Sequence, residues 1–141
     1  METKPTNPKD SIGSTKTPVS VLPWPVVFEA GLGMLEGSCK YGRHNYREKG
    51  VRYSIYFDAT MRHLTSWWEG EDDDPDSGLS HVTKAISSLM VLRDAMMSGK
   101  FTDDRPPSTF PDFVTQFNPV SKSIIDKYPN PEPPYINDHG K

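Results

Sequence analysis

An acidic stretch between residues 69 and 76 places six carboxylates in eight positions. Cations offset such crowding most directly, and carboxylate oxygens are the ligands that Mg²⁺ and Mn²⁺ prefer. Glu71 and Asp74 stand three residues apart, so both would reach one ion if the turn between them were helical. The spacing predicts a divalent-metal site in this acidic loop (residues 70–77). The alternative from the residues alone is a solvated acidic turn.

Two histidines flank the acidic loop. His63 precedes Gly70 by seven residues, and His81 follows the loop. Imidazole is both a metal ligand and a general base near neutral pH. We expect His81 to add to the metal ligands and His63 or Asp58 to accept a proton, although each histidine taken separately also fits a structural role.

A basic segment at residues 40–50 supplies the complementary half of such a site. Its lysine and arginine side chains offer point charge and bidentate guanidinium groups, and interleaved tyrosine and asparagine offer neutral donors to phosphate oxygens. Carboxylates that hold metal and cations that hold phosphate together suit phosphoryl or pyrophosphoryl transfer. Tyr46 or Trp67 would stack on the nucleotide base; the alternative is that each packs in the protein core. The predicted substrate ligands are Lys40, Tyr41, Arg43, Asn45, Arg47 and Arg62.

Three helices are predicted to position these side chains, over residues 26–40, 53–68 and 78–98. The first carries a polar stripe at helical spacing, Glu29, Gly33, Glu36 and Lys40, flanked by apolar residues. This stripe fits either the wall of a pocket or a narrow solvated face. The predicted core faces of the other two helices contain Phe57, Met61, Leu64 and Trp68, and Leu79, Val82, Ile86, Leu89 and Met90, respectively.

The proline distribution limits the folded region. Of the 14 prolines, only Pro75 lies between residues 26 and 105. We therefore predict an all-α fold, a small bundle of three main helices (residues 21–104) between an extended amino-terminal arm (1–20) and a proline-rich carboxy-terminal tail (105–141). The basic segment is predicted to be a loop, and no strand pattern is evident.

Charge and composition exclude several classes of protein. A formal net charge of −3 disfavours nucleic-acid binding, and no stretch is apolar enough to cross a bilayer. The residues Met1–Pro5 lead into no signal-like run, and the single cysteine, Cys39, cannot form an intramolecular disulfide. Cytoplasmic localisation is expected. The P-loop, Rossmann, zincin and nucleophile-elbow motifs are absent from the sequence.

Several short motifs, in order and spacing, resemble the phage-type dATP/dGTP diphosphohydrolase N-terminal family, and less directly the MazG-like all-α nucleotide pyrophosphatases. The resemblance covers roughly residues 7–107. Its motifs are the run Asn7-Pro8-Lys9-Asp10, the pattern KYGxxNYR from Lys40, the pair Arg62-His63, the pattern GExxDPxxGxxH from Gly70, and the run DDRPP from Asp103.

The resemblance implies hydrolysis of a purine deoxynucleoside triphosphate to the monophosphate and pyrophosphate, with Mg²⁺ or Mn²⁺. It assigns Glu71 and Asp74 to an acidic ExxD pair that holds metal, and Glu29 as the carboxylate from the first helix. Leu32 stands where the MazG-like pattern has a second glutamate, so Glu36 is a candidate replacement. It also implies a homo-oligomer, since MazG-like sites form between bundled helices of several chains, and a host-cytoplasmic location if the gene is phage-borne.

Two other functions fit the residues. One is a non-catalytic metal- or nucleotide-binding accessory protein, in which the acidic loop is only a turn. The other is a metal-dependent phosphohydrolase with a mixed histidine and carboxylate site that releases phosphate instead of pyrophosphate.

Overall fold

The computed structural model describes residues 7–138. Six helices and two short strands follow one another within that range. The helices are α1 (Pro8–Gly13), α2 (Trp24–Tyr41), α3 (Asn45–Lys49), α4 (Tyr53–Trp68), α5 (His81–Ser98) and α6 (Phe113–Asp126), and the strands are β1 (Val51–Arg52) and β2 (Phe101–Thr102). The all-α prediction is confirmed. The expectations for Met1–Pro5 lie outside the described residues.

Local signals place the ends of the three long helices. Pro23 is the residue before α2 and Pro25 lies in its first turn, where a missing N–H is tolerated. The predicted bounds of α4 are confirmed. Gly99 ends α5 in the left-handed conformation, as predicted, at a φ of 70°. The start of α5 differs from the prediction, because Ser80 caps it through a bond from the Val82 N–H at 3.1 Å.

The four smaller elements of the first compact region, α1, α3, β1 and β2, were not predicted. The amino-terminal arm is not wholly extended, because Asn7 caps α1 by accepting a bond from the Lys9 N–H at 2.9 Å. The basic segment contains α3 and is not simply a loop. Strands β1 and β2 pair in parallel, and Gly50 allows the close approach, since a Cβ there would lie 2.8 Å from the Lys100 carbonyl oxygen.

Helix α5 packs against both α2 and α4 and is the centre of the bundle. Small side chains make the close approach possible. Ser87 on α5 donates to the Ala30 carbonyl on α2 at 2.9 Å, directly beside Gly33. The buried apolar core is correspondingly small and consists of Ala30, Val51, Tyr53, Ala85 and Ala95.

The helices turn small and polar residues inward. On α2 the polar stripe faces α5, which favours the pocket-wall interpretation over the solvated face. On α4 and α5 the predicted core faces are wrong in part. Leu64, Val82 and Ile86 are half-buried, but Phe57, Trp68 and Leu89 are exposed, and the buried positions are mostly small or polar, among them Thr60, His81 and Ser87. The large apolar side chains are therefore left on the outside of the bundle.

A second compact unit begins at Pro106, and the first ends at Arg105. The second unit contains α6, which carries Pro119 in its interior and buries no residue. Phe110, Phe113 and Phe117 contact one another edge to face, with ring centroids 5.8–6.5 Å apart. The carboxy-terminal tail is thus partly helical. None of the helices within residues 7–138 has the length and apolar character needed to span a membrane.

Candidate functional site

The two histidines that flank the acidic loop meet in the folded chain. His63 projects from α4 and His81 from the first turn of α5, and their Nδ1 atoms are 2.8 Å apart. The Nε2 atom of His81 lies 2.6 Å from a carboxylate oxygen of Glu71. His81 is buried, so both of its ring nitrogens are satisfied by these two neighbours. The three side chains form one hydrogen-bonded chain.

The pKa of His63 lies below its usual value. Burial of the ring has the largest effect; the attraction of Asp74 opposes it, and the neighbouring His81, Lys84 and Arg62 lower the pKa further. His63 is therefore neutral at neutral pH and able to accept a proton. No hydrogen-bond partner of its Nε2 atom is found among residues 7–138.

Asp74 organises the acidic loop. Its carboxylate accepts bonds from the Ser77 hydroxyl at 2.8 Å and from the N–H groups of Asp76 and Ser77 at 3.3 Å. Partial burial raises the pKa of Asp74, but these hydrogen bonds and the attraction of His63 outweigh it, so the net pKa is lowered. The chain from Glu71 to Asp74 is not helical, and the condition that would have brought both carboxylates to one ion through a helical turn is not met.

The polar stripe of α2 meets two polar residues of α5. The Thr83 hydroxyl donates to Glu29, and the Lys84 ammonium donates to Glu36. Lys40 lies 3.7 Å from the same Glu36 oxygen and 3.0 Å from a carboxylate oxygen of Asp76. The bond to Asp76, followed by the attraction of Glu36, raises the pKa of Lys40. Through Asp76, α2 is tied to the acidic loop.

A cleft of about 510 Å³ opens beside this cluster, bounded by the end of α2, the turn before α3, and the facing sides of α4 and α5. Four of the six predicted substrate ligands line it: Lys40, Tyr41, Arg43 and Asn45. Tyr46 lines it as well, as do Glu36 and Lys84. The cleft therefore joins the predicted phosphate ligands to the charged contact between α2 and α5.

Four residues predicted to belong to the site lie outside the cleft. Arg47 makes a two-pronged ion pair with Asp94 of α5 at 2.8 and 2.9 Å, and so fixes α3 to the bundle instead of facing the cleft. Asp58 and Arg62 are exposed on α4, and no ion pair joins them in the part of the chain that the structure describes. Trp67 is partly exposed and does not line the cleft.

Lys84, Thr83 and Tyr56 belong to the site region but have no sequence signal. Each is a single residue of an ordinary type on a long helix, and only the packing of α5 between α2 and α4 brings it to the cluster or the cleft. The predicted polar stripe of α2 was the one pattern that pointed towards their partners.

The final motif, Asp103-Asp104-Arg105, has a structural role. Asp104 accepts bonds from the N–H and hydroxyl of Ser54 in the first turn of α4. Arg105 pairs with Asp103 at 2.6 Å, a bond that lowers the pKa of Asp103 to about 2, and lies 5.4 Å above the ring of Tyr53. The motif holds the start of α4 in place.

The carboxylate oxygens of Glu29, Glu71 and Asp74 are the type of ligand that a hard divalent cation such as Mg²⁺ prefers. Mg²⁺ is commonly held by one or two carboxylates, with water and phosphate oxygens completing its shell. Within residues 7–138, no three histidine, cysteine, aspartate or glutamate side chains are placed to hold one ion together. Glu29 and Glu71 each bond to their partner through a single carboxylate oxygen, Oε1, whereas both ring nitrogens of His81 are engaged.

An all-α region with a carboxylate and histidine cluster beside a basic cleft is suited to binding a polyphosphate. Residues 6–105 match the sequence model of the family described as dATP/dGTP diphosphohydrolase, N-terminal, and the chain belongs to that family. A relative from Salmonella phage PMBT28, named dATP/dGTP diphosphohydrolase, is 28% identical over 124 residues, which cover 84% of this chain. The chain spans 42% of that relative's length. No solved structure matches it.

Proposed function

We propose that this chain binds a purine deoxynucleoside triphosphate, dATP or dGTP, in its basic cleft and hydrolyses it to the monophosphate and pyrophosphate with Mg²⁺ or Mn²⁺. The observation that carries the proposal is the junction of the cleft with the charged cluster at Glu36 and Lys84, in a chain of this family. Glu36 is the carboxylate that lines the cleft, and phosphate ligands close to carboxylates are the arrangement that phosphoryl transfer requires.

The cleft residues bind and orient the substrate. Lys40 and Arg43 neutralise phosphate oxygens, and Asn45 and Tyr41 donate neutral hydrogen bonds to them. Tyr46 offers an aromatic surface for the base. Glu71, Asp74 and Glu29 would each hold an ion singly or in pairs, with water and phosphate oxygens completing its shell, and the ions would supply charge neutralisation and lower the pKa of a bound water.

The histidine chain supports the transfer of a proton from the attacking water. When Nε2 of His81 carries its proton towards Glu71, Nδ1 of His81 accepts the hydrogen bond from Nδ1 of His63. His63 then keeps a lone pair on Nε2. Its lowered pKa keeps that nitrogen unprotonated at neutral pH, so His63 fits the role of base better than the exposed Asp58.

We also propose that the chain works as a homo-oligomer. Trp24, Phe28 and Leu32 follow one another at four-residue spacing on α2, and all three are at least 42% exposed. Together with the small core, this exposed stripe supports a bundle completed by a second copy, as the MazG-like resemblance implies.

The decisive experiment is incubation of the chain with each dNTP and Mg²⁺ or Mn²⁺, with monophosphate, diphosphate, phosphate and pyrophosphate resolved. We expect dATP or dGTP to give monophosphate and pyrophosphate. Glu71→Gln should lower kcat/KM by at least about 100-fold, while the matched control Asp72→Asn in the same loop should not. Release of phosphate would favour the alternative phosphohydrolase, and equal activity of Glu71→Gln would contradict the assigned site.

A metal titration separates an enzyme from an accessory protein whose acidic loop is only a turn. If the carboxylates hold an ion, Mg²⁺ or Mn²⁺ raises the Tm of the parent chain, since a ligand that binds only the folded state stabilises it. The rise should be smaller in Glu71→Gln than in Asp72→Asn. A Tm that does not change with either metal, in the presence of a nucleotide, contradicts the proposed metal dependence.

A further inference from the structure

Two ammonium groups converge on one carboxylate oxygen at the edge of the cleft. Lys84 donates to Oε1 of Glu36, and Nζ of Lys40 lies 3.7 Å from the same atom. A single lysine would suffice to brace α2 against α5. Two ammonium groups that face the same point form a binding position for an anionic oxygen. In this chain a carboxylate oxygen of Glu36 occupies that position.

The surroundings favour an anion at this place. The side chain of Lys84 is only 16% exposed, so its charge requires a close anionic partner. The cleft itself is lined by three cationic side chains, Lys40, Arg43 and Lys84, against the single carboxylate of Glu36. Arg43 has no ion-pair partner in the described range 7–138. Lys40 is also paired with Asp76, at 3.0 Å, so the positive charge that the chain leaves unneutralised in the cleft is that of Arg43.

We infer that Lys84 and Lys40 form a phosphate-binding subsite in which Glu36 occupies the anion position until a polyphosphate displaces it. No motif in the sequence assigns Lys84 to the site. The inference rests on the proposed function only in naming the polyphosphate as that of a nucleotide, because the geometry itself requires just a multivalent phosphate. On binding, the Glu36 carboxylate turns away from the two ammonium groups, and phosphate oxygens take its hydrogen bonds.

Because Glu36 competes with the ligand for the two lysines, the subsite predicts opposite effects on affinity when Glu36 and Lys84 are substituted. Removing its charge frees Lys84 and leaves Lys40 with Asp76 as its only anionic partner among the described residues, so Glu36→Gln binds polyphosphate more tightly than the parent. Removing Lys84 weakens the binding. A pair that only braced the two helices would lower the Tm in both variants and leave the affinity for phosphate unchanged in both.

The test uses inorganic tripolyphosphate as the probe, titrated by calorimetry into the full chain in EDTA, so that neither divalent metal nor catalysis contributes. We expect Lys84→Met to weaken the affinity by about tenfold, which is typical of a lost hydrogen bond between charged groups. Lys84→Arg should retain most of the affinity, and Glu36→Gln should strengthen it several-fold. The matched control is Lys49→Met, on α3 and outside the cleft, with unchanged affinity.

Three results would overturn the subsite: no binding of tripolyphosphate by the parent, parental affinity in Lys84→Met, or parental or weaker affinity in Glu36→Gln. Glu36→Gln and Lys84→Arg keep the test decisive should Lys84→Met fail to fold. Tripolyphosphate binding that depends on Lys84, in a chain that hydrolyses no dNTP, would refute the proposed function and leave the subsite standing. Hydrolysis of a dNTP by the parent, together with parental tripolyphosphate affinity in Lys84→Met, would refute the subsite and leave the proposed function standing.

Discussion

His63 is the residue whose protonation matters most, because it joins α4 to His81, which in turn bonds to Glu71 of the acidic loop. Its pKa in the folded chain lies below 6.5, with burial as the main cause. The unfolded chain therefore takes up a proton at His63 at a higher pH than the folded chain does. Above pH 6.5 neither state is protonated there, so the contribution of His63 to stability is fully present and is lost as the pH falls through its folded pKa.

We expect the Tm of the parent to fall between about pH 7 and pH 5 more steeply than that of His63→Asn, which cannot take up the proton. Thermal unfolding followed by circular dichroism at several pH values measures the difference. Protonation of the carboxylates lowers the Tm of both proteins at more acidic pH, and the comparison removes that shared effect. Parallel curves for the two proteins would show that His63 is not buried as described.

Residue types could be predicted from the sequence at the site, but contacts could not. The basic segment is recognisable because phosphate ligands cluster along the chain, and four of its five predicted members line the cleft. Arg47 belongs to the same cluster and yet bonds to Asp94, a residue 47 positions away. Lys84 shows the opposite case, since its partner Glu36 lies on another helix. Sequence spacing indicates which residues are neighbours within one helix, but it does not indicate which residues of two different helices contact each other.

At the scale of elements, helix bounds followed from local chemistry, whereas helix faces did not. Pro23 and Pro25 mark the start of α2, and Gly99 follows the last residue of α5. With such signals, the limits of α2, α4 and α5 were predicted to within three residues. The faces depend on what each helix contacts. A prediction that turns large apolar residues inward fails in this bundle, because Gly33 and Ser87 bring α2 and α5 too close together for them.

The close contact between α2 and α5 gives a prediction about Gly33. A Cβ at this position would lie 2.3 Å from the hydroxyl oxygen and 3.0 Å from the Cβ of Ser87. Gly33→Ala should therefore lower the free energy of unfolding by about 1–3 kcal/mol through overpacking. Gly31→Ala, on the same helix with open space at its Cβ, should instead stabilise the chain by about 0.5–1 kcal/mol.

Urea unfolding of the two alanine variants measures both effects, and the double variant Gly33→Ala/Ser87→Gly identifies the cause. If the two side chains collide, the double variant loses less stability than the sum of the single losses. Additive losses, or equal stability of Gly33→Ala and Gly31→Ala, would mean that the helices are not in close contact at Gly33.

At the scale of the whole molecule, the chain differs from a bundle that folds alone, because it exposes many large apolar side chains and buries mainly small and polar ones. Its buried apolar side chains are few, and no large side chain of the described residues is fully buried. Phe28 is 73% exposed and Leu32 is 50% exposed, on the side of α2 that carries neither the polar stripe nor the cleft. A stripe of this size on a helix of the bundle is typical of an interface between subunits.

We therefore expect the parent chain to elute as a dimer or larger assembly, with a mass by light scattering that is a multiple of 15.9 kDa. Phe28→Ser combined with Leu32→Ser should shift it towards the monomer, because each serine removes apolar area from the subunit contact and leaves the cleft intact. Val19→Ser, an exposed apolar residue before α2, is the matched control and should keep the parental mass. A parent that is monomeric at assay concentration would contradict the oligomer, and a double variant of parental mass would place the interface on another face.

Since the chain buries so little by itself, the double variant should also unfold at a lower Tm than the control, and the Tm of the parent should rise with protein concentration.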